Sequence, residues 1–404
     1  MNRNRIIRAF AAACALALTP CSALAEEAWS ARAGASAGYS SNPQLEPGGR
    51  EAAFSDLDAT VAAGLETADG RFAAAAQVRR RTFIDSDIGS EDSLRAAVLA
   101  ASPAGAAVMF SALGKLEFSR DEDFRGLDVY EQASIRWRRG AFEPFVSVEA
   151  RYATLNEKTN IFSGDFLDKS VRSTRLSAAP GVSMSRNVGG ASITAGVALG
   201  VSTTRFHNED GVGLMRHNDR AQPSLFASYE AGKARVSASV SHLYGAWEEG
   251  FFRDVSRTFA QATASYHFGG VTLEGIVLQA PEETTFALSP LVATTLFEAR
   301  ITFALPSEAS LKLYGRDVTA SYLGSGLQSM GQAVGAVYTR QVHDGLEASL
   351  EASRSFGETI GGETADATAV TLRVSKTLES DGKAALPGFE GAGSAALRRR
   401  AAPR

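Results

Sequence analysis

Cysteine is almost absent: the 404 residues hold two, Cys14 and Cys21. Both fall in the first 25 residues, so a mature chain lacking that segment has no disulfide, Cys-ligated metal or thiol nucleophile. Proline is scarce, at 12 residues, and stands mostly at apparent turns. Neither sign of charge dominates, with 41 Lys+Arg against 45 Asp+Glu. Setting aside Arg3, Arg5 and Arg8 leaves 38 against 45, or −7. That mild acidity argues against a nucleic-acid partner. Long apolar runs are also missing. Beyond residue 25, none approaches the ~20 residues of a membrane-spanning helix. The mean hydropathy of −0.08 would suit a soluble protein. It equally suits a transmembrane barrel, in which only alternate residues face lipid.

The first segment reads as a secretory signal peptide. Arg3, Arg5 and Arg8 form a basic start, Ile6 to Leu18 an apolar centre, and Ala23-Leu24-Ala25 a small-x-small cleavage site ending at Ala25. Cys21 follows Leu18-Thr19-Pro20, and proline at that place argues against lipid attachment.

After it, residues alternate apolar and polar with period two, the signature of half-exposed strands. Tyr130 to Tyr152 shows this most plainly. Val129, Ala133, Ile135 and Trp137 share one face, with Glu131 as the exception, and Tyr130, Gln132, Ser134, Arg136 and Arg138 share the other. After Arg139-Gly140 the pattern restarts, with Phe142, Val146, Val148 and Tyr152 opposite Glu143, Phe145, Ser147, Glu149 and Arg151. Strands of soluble domains average about 5–6 residues. These are roughly twice that, the length that crosses a bilayer when tilted.

The same pattern recurs from Trp29–Tyr39 to Ala367–Leu378. Short Gly-rich turns, such as Asp69-Gly70, Ala231-Gly232 and Asp344-Gly345, alternate with longer polar loops, such as Leu155–Lys169, Phe206–Asn218 and Gly324–Ser329. Short-then-long alternation is the habit of outer-membrane barrels. The expectation is an all-β, transmembrane, antiparallel up-and-down barrel of about 18 strands, or 16 on a tighter tally, with both termini on the periplasmic side. The expected domains are a signal peptide at 1–25, a barrel at 26–378, and a disordered tail at 379–404 that carries Arg398-Arg399-Arg400. Ten aromatics near strand ends are expected to form interfacial girdles: Trp137, Phe142, Tyr152, Tyr229, Tyr244, Tyr266, Phe268, Phe303, Tyr322 and Phe356.

Tyr39-Ser40-Ser41-Asn42-Pro43 closes the first strand. A Tyr-x-Ser-Asn element there resembles a group of outer-membrane β-barrel porins. The resemblance implies an outer-membrane barrel, and in some members a link to exopolysaccharide or surface-export systems. Its bland counterpart is a strand-breaking Ser-Asn-Pro turn. The family's barrels end on an aromatic residue. Here Leu346–Phe356 has that ending and Ala367–Leu378 does not.

Facing away from lipid, the polar parity would line a lumen. The candidate pore-lining residues are Arg79, Arg81, Arg136, Arg138, Glu149, Arg151 and Arg175. They read in two ways: as a basic stripe favouring anionic solutes, or as a mixed-sign ladder of ion pairs that stiffens the wall. The histidines His207 and His217 flank an acidic loop but match no metal spacing. Asp121-Glu122-Asp123 reads as a solvated loop tip, with a divalent-cation or lipopolysaccharide bridge as its alternative. Gly211-Val212-Gly213 has no phosphate-loop context, and no nucleophile elbow or Ser/His/Asp set stands out.

The expected function is a porin-like channel of a Gram-negative outer membrane, passing small hydrophilic solutes by diffusion, with no catalysis and no cofactor. Its partners would be outer-membrane lipid and lipopolysaccharide, and the insertion machinery during biogenesis. No plug domain precedes the first strand, against an energised transporter. The alternatives are a barrel component of a polysaccharide or export system, and a secreted soluble β-protein or adhesin.

Overall fold

A computed structural model describes residues 26–43, 45, 48–68, 70–84, 89–103, 106–120, 125–155, 171–207, 216–248, 252–284 and 288–380. The signal segment with Ala25, the tail beyond residue 380, Asp69, Asp121-Glu122-Asp123 and Gly211-Val212-Gly213 lie outside them.

The strands are β1 (Glu26–Ser40), β2 (Ala52–Thr67), β3 (Gly70–Ile84), β4 (Glu91–Ala101), β5 (Val108–Arg120) and β6 (Arg125–Trp137). There follow β7 (Phe142–Leu155), β8 (Val171–Val188), β9 (Ala191–Phe206), β10 (Asn218–Ala231), β11 (Ala234–Trp247) and β12 (Val255–Phe268). The last are β13 (Val271–Glu282), β14 (Val292–Leu305), β15 (Ala309–Tyr322), β16 (Leu327–His343), β17 (Leu346–Glu358) and β18 (Thr364–Glu379).

Each strand pairs antiparallel with its neighbours in sequence, and β18 pairs with β1 from Ser30↔Glu379 to Ser40↔Ala369. The sheet is therefore a closed up-and-down barrel of 18 strands. Closure leaves no unpaired edge, the condition for backbone to cross hydrocarbon as strands. No helix among the described residues is long and apolar enough to cross a membrane.

The expected count of 18 thus holds and 16 does not, and the strand that closes the barrel is β18, which contains Ala367–Leu378, not Leu346–Phe356. The physical reason is direction. β17 runs from the short-turn end to the loop end, so Phe356 points at a loop, and only β18 brings the chain back to pair with β1. The expected long loop Gly324–Ser329 is also corrected. Between Tyr322 and Leu327 stands a four-residue reversal in which Gly324 and Gly326 take positive φ of 84° and 75°.

Side chains separate by parity. Every strand shows at least one exposed large apolar residue outward, among them Leu57, Val78, Val148, Val197, Leu225, Val240, Phe297, Leu350 and Val374. Such an unbroken apolar exterior marks a membrane barrel, not a β-sandwich, which would bury these faces against a second sheet. Trp137, Phe142, Tyr229, Tyr266 and Phe268 stand exposed toward the short-turn end, and Tyr244 toward the loop end. Tyr152, Phe303 and Phe356 share the outward parity of their strands. Tyr322 is the exception among the ten expected girdle aromatics. It points inward and packs, buried, with Val292 and Ala320. Its position at the last residue of β15 puts it on the inward parity of Arg316 and Val318.

Candidate functional site: the luminal wall

The inward faces of β2 to β8 carry many charges, as do those of β1, β14 and β17, and strand register brings opposite signs together. On the β2–β3 hairpin, Asp56 lies opposite Arg81 and Asp58 opposite Arg79. Arg81 donates from Nε to Asp56 at 2.7 Å and from Nη2 at 3.0 Å. Arg79 donates to the same carboxylate. Asp58 instead accepts from Arg373 of β18 at 2.8 Å, reaching across β1. On β6–β7, Arg136 and Arg138 share Glu143 at 3.3 and 3.4 Å. Arg151 donates from Nε to Asp128 at 3.1 Å. Arg175 of β8 pairs with Glu149, which also accepts from Tyr130 at 3.3 Å.

All seven expected wall residues therefore point inward, and each has an oppositely charged partner. The Asp56 side chain is only 5% exposed. A carboxylate that buried is tolerable because two guanidinium groups hydrogen-bond it. At Asp56 and at Glu143, two arginines meet one carboxylate, and Arg81 also stands in register with Glu91 of β4. The carboxylates Asp56, Asp58, Asp128 and Glu143 were outside the expected set. Period-two parity combined with cross-strand register could have found them, since each sits on the polar face of a hairpin partner.

The inward faces of β8 to β12 differ. There a register row runs Ser185, Thr194, Ser228, Ser237 and Thr263 over five neighbouring strands. Ser185 hydrogen-bonds Thr194 at 2.9 Å and Ser237 hydrogen-bonds Thr263 at 2.7 Å. Gln222 donates to Ser241 at 2.7 Å. Phe145 of β7 lies over Gly181, and Phe226 over Gly196, where a Cβ on either glycine would run into the ring. The two rings are 6.1 Å apart.

The loop end is packed. Arg216, 1% exposed, donates from Nη1 to the carbonyls of Thr284 at 2.7 Å and Ser289 at 3.0 Å. Its guanidinium lies 5.2 Å from the Phe252 ring centre. Arg220 of β10 pairs with Glu283, which follows β13, and Thr204 of β9 donates to the same carboxylate at 3.4 Å. Beside them Leu243, Trp247, Phe259 and Leu291 are buried together. The chain after β13 thus reaches inward to β9 and β10. These contacts narrow the lumen at this end. No periodic signal in the sequence announces them, because they join loops to distant strands.

The other candidates are engaged elsewhere. His207 hydrogen-bonds Thr174 at 2.7 Å, and His217 accepts from the Phe206 amide at 3.1 Å. Among the described residues, no group of three or more His, Cys, Asp or Glu is placed to hold a metal ion.

No family model matches the sequence, and no curated protein matches it. Among solved structures, the chain is similar to the outer membrane protein OpdK from Pseudomonas aeruginosa, at 10% identity and a TM-score of 0.44, over 87% of this chain and 99% of that one. It is similar to a BenF-like porin from Pseudomonas fluorescens Pf-5 at 11% identity and a TM-score of 0.45, over 88% and 99%. It is also similar to the copper transporter OprC at 8% identity and a TM-score of 0.42, over 81% of this chain but 61% of that one.

Proposed function

We propose that the protein is an outer-membrane channel for the diffusion of small hydrophilic solutes. One observation carries the reading: the barrel is apolar outside on every strand, while its inward face holds ion pairs and hydroxyls that remain partly accessible. Arg95 and Arg300, in mid-strand, keep 24% and 34% of their side-chain surface. Charged side chains with that exposure inside a membrane barrel call for a wet lumen. Eighteen strands enclose a space wide enough for an aqueous path. In this reading the short turns face the periplasm and the packed loop end faces outward, against lipopolysaccharide. Residues 1–25 serve as the export signal, the barrel occupies 26–378, and the insertion machinery meets the chain during biogenesis. No catalytic role or cofactor is assigned.

The two arginines that share Glu143 support a mild anion preference. The pairing of Arg151 with Asp128 and of Arg175 with Glu149 supports a rigid wall more than a strongly basic stripe.

The packing around Arg216 and Trp247 favours a second reading, a barrel with a filled mouth that serves an export system as scaffold. Planar-bilayer conductance of the refolded protein tests both. Discrete steps whose ion preference changes in Arg136→Glu establish the channel. A folded, heat-modifiable barrel without conductance moves the assignment to the scaffold.

A further inference from the structure

We infer that the inward arc of β8 to β12 is a binding track for neutral polyhydroxylated solutes, in effect short oligosaccharides. This rests on the channel reading and names its substrate class.

The arc has three features in register. The first is the row Ser185, Thr194, Ser228, Ser237 and Thr263, one hydroxyl per strand across five strands. Neighbouring strands lie about 4.8 Å apart, so the row offers a hydroxyl at each such step. Each hydroxyl has one donor and two acceptor positions. The pairs Ser185–Thr194 and Ser237–Thr263 use one bond apiece, which leaves acceptor positions free for solute hydroxyls. Ser228 and Thr263 are exposed.

The second feature is the adjacent row, Ser183, Gly196, Phe226, Ser239 and Gln261. Phe226 lies on Gly196 and Phe145 on Gly181, in positions only glycine permits. Both rings are half-buried, so part of each stays open to the lumen. Phe226 can give that face to the C–H side of a sugar ring, while the hydroxyl row takes the sugar's polar rim. Phe145 stands beside it at 6.1 Å, with the Arg136 guanidinium 5.6 Å from its own centre.

The third feature is the charge boundary. On these two rows no Lys, Arg, Asp or Glu occurs from Ser183 or Ser185 on β8 to Gln261 or Thr263 on β12, and the Glu230–Arg235 ion pair of the next row bounds them on the short-turn side. Charged groups attract ions and hold water, whereas an uncharged hydroxyl wall exchanges one weak hydrogen bond for another as a sugar moves along it.

The test adds maltotriose to single channels of the full refolded barrel in a planar bilayer. In parallel, maltotriose binding to the detergent-folded barrel is followed by isothermal titration calorimetry. The expected result is reversible interruption of the current and saturable binding, with Phe226→Ala weakening both by about tenfold. Ser228→Ala should weaken both by a smaller factor, and Lys115→Gln, on the charged side, should leave both unchanged. A conducting channel without sugar block or binding overturns this inference and leaves the channel reading standing. So does block that Phe226→Ala does not change. A folded barrel with no conductance overturns the channel reading instead. Calorimetry then decides the track alone: Phe226-dependent binding keeps it, and no binding removes it.

Discussion

The two arcs of the lumen are built from the same strands and obey different chemistry. From β2 to β7 the inward face is an ion-paired lattice, in which Asp56, Asp128, Glu143 and Glu149 each hold at least one arginine. From β8 to β12, between the packed loop end and the Glu230–Arg235 pair at the short turns, it is a field of Ser, Thr, Gln and two rings laid on glycine. The outward faces of the two arcs are alike. The membrane therefore dictates one parity of each strand and leaves the other free. On the charged arc, side chains hold one another in place. On the hydroxyl arc, they hold one another weakly and remain available.

The largest expected effect tests the shared exterior. Val148→Arg on the charged arc and Val240→Arg on the hydroxyl arc should each cost about 2–4 kcal/mol of folding stability in lipid, if both face mid-bilayer. Urea titration of barrels folded into vesicles measures this, and a cost at only one site would break the equivalence of the outer faces. Next, Asp56→Asn leaves Arg79 and Arg81 without their carboxylate. It should destabilise by about 2 kcal/mol, below the figure for a fully buried pair because Arg79 is 31% exposed. Third, Glu143→Gln removes the shared partner of Arg136 and Arg138. The reversal potential in a salt gradient should move toward anions, and the shift should shrink in molar salt as screening shortens its reach. An unchanged potential would mean that ions do not pass this wall. The smallest effect is expected at Ser237→Ala on the hydroxyl arc, where losing a partly exposed bond to Thr263 should cost less than about 1 kcal/mol. A cost equal to that of Asp56→Asn would erase the contrast.

Much of this architecture was readable from period-two alternation. Val148 and Glu149 fall on opposite faces because a strand alternates, and Arg151 follows Glu149 inward for the same reason. Strand length and the alternation of short and long connections gave the barrel. The pairing was less legible. That Arg79 turns to Asp56 while its register partner Asp58 turns to Arg373 depends on side-chain reach and barrel closure, which alternation does not encode. The loop-end packing was not legible at all. Arg216 reads as one more loop cation, yet it is buried against two carbonyls some seventy residues away in sequence, at separations of 68 and 73. Tyr322 was misplaced because an aromatic at a strand end looks the same from either face. Its parity, shared with Arg316, was the available signal.

The seam between β1 and β18 has a consequence in time. Its contacts join the two extremes of the barrel: the Trp29 amide bonds Ser380 Oγ across 351 residues of sequence, and Arg373 reaches Asp58 across 315. Contacts this distant form late, because the chain between them must already be ordered. Until β18 arrives, β1 and β17 are open edges, and each unpaired backbone group costs several kcal/mol in hydrocarbon. The sixteen residues of β18 thus act as a latch rather than an increment. A chain ending before Thr364 should yield an uninserted, protease-sensitive polypeptide, not a slightly smaller barrel.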